Sequence, residues 1–177
     1  MDDTELVASC RAGLTGAFEA LIAKYQTPLL TMTWHVLGNQ EDARDAAQGA
    51  FLSAFSKLET FDSRKDFKTW LFSIAWKDCL DLKRKHKIRR LFLQNRPLAA
   101  IPASPQEPSA VRLEDSETFG PLLLKLKPRE RLVLSLRINE NCTAAEIAGI
   151  LGCAESSARV YFFKALRKMR EFYDKEK

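Results

Sequence analysis

The sequence lacks the clustered side chains that hold metals and cofactors or that carry out catalysis. It has only two histidines and four cysteines, with no Cys-x-x-Cys pair among Cys10, Cys79, Cys142 and Cys153. No glycine-rich loop of the phosphate-binding kind is present, and no nucleophile stands beside a base in a known arrangement. The sequence therefore predicts no metal, no cofactor and no enzymatic activity. The cysteines suit reduced thiols packed as small apolar groups, with a redox role for one of them as the alternative.

Long apolar runs are also missing. No stretch approaches the roughly 20 residues needed to span a bilayer. The first residues, MDDTELV, are acidic and unlike the basic start of a signal peptide. We therefore expect a cytoplasmic protein that is not itself in the membrane.

The 177 residues carry a net charge of +5, and that charge is unevenly distributed. Residues 61–90 contain ten Lys or Arg and only four Asp or Glu, and residues 121–177 contain twelve and seven. Residues 1–60 and 91–120 are acidic on balance. Two basic zones separated by an acidic segment suggest two contacts with one polyanion, although solvated basic helices are common.

Apolar residues recur at helical spacing through most of the chain, and no stretch alternates as a strand would. The predicted helices cover residues 4–14, 17–37, 40–58, 69–90, 121–126 and 128–138, followed by a pair within 141–173. Either Gln40 or Asp42 could cap the third helix. Pro128 suits the first position of a helix.

Residues 91–120 change character, with four prolines among alanine and serine. That composition predicts a flexible linker. The fold class is therefore all-α, with two small helical domains at 1–90 and 121–177 joined by the linker.

The segment from Asn141 to Tyr173 has the pattern of a helix-turn-helix. Thr143 and Glu146 form a capping box, Gly152 ends the first helix, and Glu155 opens the second. The outward face of the second helix is polar and basic with a few apolar contacts, which suits a DNA major groove. A helical hairpin buried in an all-α domain is the alternative.

Aromatic and basic residues are interleaved along the fourth predicted helix, and six of the eight residues 83–90 are Lys or Arg. This mixture is typical of single-stranded nucleic-acid binding, in which bases stack on rings while cations follow phosphates. We interpret Trp70 as a core residue, whereas Trp76 could equally stack on a base or pack in the core.

The helix predicted at 40–58 has an apolar surface too broad for packing on one side alone. A part near Asp45, Gln48 and Leu52 could dock a helix of a partner protein.

Three segments together resemble the extracytoplasmic-function sigma factors of bacterial RNA polymerase, within the sigma-70 family. The first is FEALIAKYQTPLL with EDARDAAQGAFLSAF, the second is FKTWLFSIAWKDCLDLKRK, and the third is LKPRERLVLSLR with TAAEIAGILGCAESSARVYFFKALRKM. Their order and spacing cover nearly the whole chain apart from the linker.

The resemblance implies a non-catalytic subunit that directs core RNA polymerase to promoters. It implies that the first segment binds the β′ clamp helices, that the second recognises and melts the −10 element, and that the third reads the −35 element. Contact with the β flap and control by an anti-sigma factor are further implied.

The candidate site residues come from the hypothesis that these three segments bind core polymerase, the −10 element and the −35 element. Those for core polymerase are Asp45, Gln48, Phe51 and Leu52. Those for the −10 element are Phe67, Lys68, Trp76, Lys77, Arg84 and Lys85. Those for the −35 element are Ser156, Ser157, Arg159, Tyr161, Phe163 and Lys164.

Two other classes remain open from the sequence. A stand-alone helix-turn-helix regulator would bind duplex DNA as a dimer without polymerase. A sigma mimic would capture an anti-sigma factor and never reach DNA.

Overall fold

The computed structural model describes residues 2–93 and 122–175. These residues form helices joined by short turns and loops, and they contain no strand. The helices are α1 (Asp3–Arg11), α2 (Thr15–Leu37), α3 (Gln40–Ser56), α4 (Phe67–Leu93), α5 (Pro128–Ile138), α6 (Ala144–Leu151) and α7 (Glu155–Lys175). A 3-10 helix at Leu58–Thr60 and a helical turn at residues 122–124 complete the set. The predicted all-α class is confirmed.

Short polar side chains set several helix starts. The cap of α3 is Asn39, whose Oδ1 accepts from the Asp42 amide at 3.0 Å. The expectation of Gln40 or Asp42 as cap was wrong, because both already lie inside the helix while Asn39 is extended, with φ −135°. Gly38 ends α2 in the left-handed region at φ 70°, which glycine adopts at little cost.

Helix α4 is longer than predicted at both ends. Asp66 caps it, since its carboxylate accepts from the Thr69 amide at 2.6 Å. The helix then runs to Leu93, three residues beyond its predicted end at residue 90. The remainder of the predicted linker lies outside the described residues.

The N-terminal helices α1–α4 surround a core whose largest fully buried side chains include Leu21, Leu29, Met32 and Phe72. This core continues into the C-terminal helices α5–α7 through residues such as Leu132. Helix α5 packs on α2, and helix α6 packs on α4. A second cluster inside the C-terminal helices joins α5 to α7.

Candidate nucleic-acid interface

The predicted helix-turn-helix is formed by α6 and α7. Thr143 and Glu146 make the expected capping box, in which the Thr143 hydroxyl accepts from the Glu146 amide at 3.2 Å and the Glu146 carboxylate accepts from the Thr143 amide. This bonding lowers the pKa of Glu146. Gly152 adopts φ 64° at the end of α6, as predicted. Local sequence signals therefore define where α6 begins and ends, and so the position of the turn that leads into α7.

One face of α7 is buried and the opposite face is open. Ala158 and Ala165 point into the protein, whereas Phe163 is 67% exposed and Val160 is 48% exposed. Among the predicted −35 residues, Ser156, Arg159, Phe163 and Lys164 are exposed and Ser157 and Tyr161 are half-buried. Glu155 pairs with Arg159 at 2.5 Å across one helical turn. The structure thus brings the six candidates together on one helix.

A residue outside that prediction lies against the same helix. The Arg129 guanidinium, from the first turn of α5, sits 5.9 Å from the Tyr161 ring centre. Its Nη1 donates to the Tyr161 hydroxyl at 3.3 Å. No signal in the sequence identifies this pair, because the two residues are 32 positions apart.

Helix α5 is also tied to α7 by a charge pair next to Arg129. Lys168 Nζ donates to both carboxylate oxygens of Glu130, at 2.7 and 2.9 Å. Burial alone would raise the pKa of Glu130, but the bond from Lys168 outweighs it and the pKa is lowered. This pair joins the two helices beside the exposed face of α7.

The predicted −10 residues are placed differently. Phe67 and Trp76 are each only 2% exposed and belong to the core of the N-terminal helices. The Phe67 ring packs against those of Phe61, Tyr25 and Trp70. In this arrangement neither Phe67 nor Trp76 offers a ring face to a base. For Trp76, the sequence left open whether the ring stacks on a base or packs in the core, and the structure places it in the core.

The cations of α4 fall into two groups. Lys77, Arg84 and Lys85 are exposed, and Arg84 pairs with Asp81 at 3.0 Å one turn away. Lys68 instead pairs with Glu140, from the turn between α5 and α6, at 2.8 Å. The two side chains of that pair are only 23% and 16% exposed. The C-terminal helices therefore cover one candidate −10 cation and leave three open.

Close packing accompanies that ion pair. A Cβ placed on Gly149 of α6 would lie 3.0 Å from the Thr69 methyl group of α4, so the small residue permits this approach. At the α2–α5 contact, His35 Nδ1 and the Ser135 hydroxyl are 2.6 Å apart and buried. Burial, with the positive charge of Arg131 as a second cause, lowers the pKa of His35 to about 4. The imidazole is therefore neutral at pH 7.

The predicted polymerase-binding residues border a groove of about 620 Å³ between α2 and α3. Gln48, Phe51 and Leu52 line it, while Asp45 is exposed one turn earlier on α3. The other lining residues are Phe18, Ile22, Gln26, Leu30, Arg44, Ala47 and Phe55. The α2 wall was not predicted as part of the site, although the apolar stripe containing Phe18 and Ile22 was visible in the sequence. The groove is mostly apolar, and two of its residues, Leu52 and Phe55, are more than 60% exposed.

Within residues 2–93 and 122–175, no group of three or more His, Cys, Asp or Glu side chains could hold a metal ion. Burial raises the pKa of Cys79 to about 12 and that of Cys142 to about 11. Burial also raises the pKa of Cys10. These thiols are thus protonated at pH 7. None of the described helices has the length and apolar character to cross a bilayer.

Comparison with known families matches both halves of the chain. The family model described as Sigma-70 region 2 matches residues 21–89, and the one described as Sigma-70, region 4 matches residues 119–169. The ECF RNA polymerase sigma factor SigW of Bacillus subtilis is 26% identical over 93% of each chain. The RNA polymerase sigma-H factor of Pseudomonas aeruginosa is 28% identical, over 98% of this chain and 92% of its own.

Two solved structures share the fold. CnrH in complex with the cytosolic domain of CnrY has a TM-score of 0.72 and 24% identity, covering 99% of both chains. The sigma factor RpoE of Bartonella quintana, in complex with the anti-sigma factor NepR, has a TM-score of 0.73 and 19% identity. It covers 90% of this chain and 98% of its own.

Proposed function

Because the chain belongs to the sigma-70 family, as an extracytoplasmic-function RNA polymerase sigma factor, we propose that it divides promoter recognition between its two helical units. Residues 1–90 act as region 2 on core polymerase and the −10 element. Residues 121–177 act as region 4 on the −35 element, and residues 91–120 connect them. The protein acts in the cytoplasm as a specificity subunit and has no catalytic activity of its own.

The observation that carries this proposal is the exposed face of α7. It presents hydroxyl groups, two cations and an aromatic ring on one side of a helix-turn-helix. Side chains of these types donate to base edges and phosphates in a major groove, and apolar groups contact thymine methyls. Ser156, Ser157, Arg159, Tyr161, Phe163 and Lys164 are the proposed −35 contacts.

For the −10 element, the proposed contacts to the unpaired strand are the four cations Lys68, Lys77, Arg84 and Lys85. Phe67 and Trp76 support this helix from the core, where their burial places them. Positive charge along one helix follows the phosphates of a single strand, and each contact adds to the salt dependence of binding.

The α2–α3 groove is the proposed docking site for the β′ clamp helices. Its apolar lining and exposed Leu52 suit the apolar face of a partner helix laid into a groove. Asp45 and Gln48 lie on the same helix as polar contacts. Region 4 is proposed to contact the β flap.

An anti-sigma factor is the proposed regulator. Each of the two solved structures reported above contains an additional protein chain, which for RpoE is named an anti-sigma factor. The ion pair between Lys68 of α4 and Glu140 of the α5–α6 turn supports the same idea, because it covers Lys68. A regulator that stabilises this contact would keep one −10 contact away from DNA.

The test is transcription of a fragmented genomic library by core polymerase with and without the chain, with mapping of the new 5′ ends. We expect a set of start sites that share −10 and −35 sequences and need the added chain. Tight duplex binding by a dimer without polymerase would instead favour the stand-alone regulator. The absence of any promoter-specific transcript would overturn the proposal.

The docking groove has a matched control in the same experiment. Leu52 is 65% exposed in the groove, and Leu14 is 62% exposed away from it. A charge at Leu52 should abolish binding to core polymerase, because a carboxylate would be buried against apolar groups. Leu52→Asp is expected to lose transcription, whereas Leu14→Asp retains it. Equal activity of the two variants would count against this docking site.

A further inference from the structure

The contact between Arg129 and Tyr161 joins an exposed cation to the flank of the predicted recognition helix. Arg129 is in the first turn of α5, after Pro128 at the first helical position. Its guanidinium lies over the Tyr161 ring and donates to the hydroxyl at 3.3 Å. Arg129 is exposed and Tyr161 is half-buried, so the ring lies beneath the cation and the cation is open to solvent.

The flank of α7 on which Tyr161 lies also carries predicted −35 residues. Positions three or four apart share a helix face, so Ser157, Tyr161 and Lys164 follow one another along it. Lys168 continues this flank and reaches Glu130 of α5. Arg129 therefore lies beside the −35 contacts and not behind them.

Among the described residues, no acidic neighbour neutralises the charge of Arg129. Within residues 2–93 and 122–175, no carboxylate lies within ion-pair distance of Arg129, and the adjacent Glu130 is occupied by Lys168. A guanidinium has five N–H donors, of which the Tyr161 hydroxyl uses one. No described residue is bonded to the remaining donors, which can therefore bind an anion.

A helix inserted in the major groove has a sugar-phosphate strand along each of its flanks. An arginine on a flank meets phosphate oxygens, whereas a residue on the outward face meets bases. The planar guanidinium stacks on an aromatic ring and keeps its donors at the edge, which a lysine ammonium does not reproduce. The ring thus limits the directions in which the cation can point.

We propose that Arg129 is a further DNA contact of this protein, donating to a backbone phosphate at the edge of the −35 major groove, with Tyr161 as its positioning residue. The inference rests on the proposed function, in which α7 reads the −35 element. It assigns to α5 a part in binding that neither the predicted residues nor the helix-turn-helix pattern includes.

The experiment uses holoenzyme assembled from the full chain and core polymerase, with a promoter recovered by the transcription test above. Binding is measured over a series of salt concentrations, on that promoter and on versions substituted at single −35 positions. Arg129→Ala is expected to weaken binding by roughly three- to tenfold, by the same factor on every −35 version. The slope of log affinity against log salt should fall by about one, as expected for one lost phosphate contact.

Three variants separate the roles of the two residues. Tyr161→Phe keeps the ring and should change binding less than Tyr161→Ala, which should lose at least as much as Arg129→Ala because Tyr161 is itself a proposed −35 contact. The double variant Arg129→Ala with Tyr161→Ala should then lose little more than Tyr161→Ala alone. Arg170→Ala is the matched control. Arg170 is exposed near the C-terminal end of α7, and its replacement by alanine removes the same charge.

An affinity and salt slope for Arg129→Ala equal to those of Arg170→Ala would overturn the inference. Loss confined to particular −35 bases would also overturn it, because it would indicate base reading and not a phosphate contact. A wild-type holoenzyme insensitive to the −35 sequence would overturn the proposed function together with this inference. Additive losses in the double variant would remove Tyr161 as the positioning residue while leaving the phosphate contact in place.

Discussion

The two candidate DNA-reading faces of this sigma factor differ in how the protein presents them. On α7 the predicted −35 residues lie on the open side of a helix whose buried side packs on α5 and α6. On α4 the two aromatic candidates are buried, and Lys68 is paired with Glu140 of the C-terminal helices. One face is ready for a ligand as it stands, and the other is partly covered by the rest of the chain.

This difference shows what each half needs before it can bind DNA. The −35 face requires no change within the described residues. On the −10 side, full access to Lys68 requires the α5–α6 turn to leave α4, which breaks the contacts at Glu140 and Gly149. Separation of the two units would therefore uncover Lys68 of α4 and leave the exposed face of α7 unchanged.

The largest expected effect compares one aromatic residue from each face. Trp76→Ala should lower the free energy of unfolding by about 3–5 kcal/mol, because it leaves a cavity in the core. Phe163→Ala should change it by less than about 0.5 kcal/mol, because Phe163 is already in water. Urea denaturation of both variants measures the difference. Similar losses would mean that the two faces are equally exposed.

The next largest effect is a pH dependence of stability that arises at the buried α2–α5 contact. His35 faces Ser135 and Arg131 across the α2–α5 contact, and its pKa falls from 6.5 to about 4 in the folded protein. The stability due to its neutral form is therefore fully present above pH 6.5 and is lost as the pH falls toward 4. The loss should reach roughly 3 kcal/mol.

Urea denaturation midpoints, measured as the pH is lowered from 6.5 to 4, would show this loss of stability. His35→Gln should remove it, since glutamine does not titrate. His86→Gln, at an exposed position 3.5 Å from Asp42, should leave it in place. A His35→Gln variant with the wild-type pH profile would contradict the assignment.

A smaller effect is expected from crowding the α4–α6 contact. Gly149→Val should destabilise the protein by about 1–3 kcal/mol, because the new side chain overlaps the Thr69 methyl group. Combining it with Thr69→Ala should recover part of that loss. Gly16→Val is the control, since a Cβ there meets nothing within 4 Å. Equal losses at Gly149 and Gly16 would show that helix propensity alone is responsible.

The smallest effect compares one ion pair from each side. Glu140→Gln should cost about 1 kcal/mol, because its pair with Lys68 is largely shielded from water. Glu155→Gln should cost about 0.3–0.5 kcal/mol, because its pair with Arg159 is exposed. When unfolding is measured at low and at high salt, the added salt should reduce the cost of Glu155→Gln more than the cost of Glu140→Gln. The reverse order would contradict the difference in exposure.

Local chemistry made much of the fold predictable. The capping box of Thr143 and Glu146, the stop at Gly152 and the start at Pro128 each depend on residues within four positions of one another. The cap of α3 was missed because Asn39, Gln40 and Asp42 all suit a helix start, and only the backbone geometry distinguishes them. The end of α4 was placed too early, because Leu91 and Phe92 are exposed and no buried position among the described side chains marks where the helix ends.

The candidate site was predictable only where the side chains needed no partner. Ser156, Arg159 and Phe163 are outward because the helical repeat opposes them to Ala158 and Ala165. Helical periodicity placed Trp76 at the edge of the apolar stripe and so could not decide between solvent and core. The α2 wall of the groove requires knowing that Phe18 meets Phe55, with ring centres 4.9 Å apart.

Short-range sequence signals predict most of the helices, the capping box of α6, the two basic zones and the family, because these depend on neighbouring residues and ordered motifs. The packing of whole helices, in contrast, brings Lys68 to Glu140, His35 to Ser135 and Arg129 onto Tyr161. Those pairs are 72, 100 and 32 positions apart. Which distant surfaces meet depends on how whole helices pack, a choice made by the combined burial of many apolar side chains and not by any one of these residues.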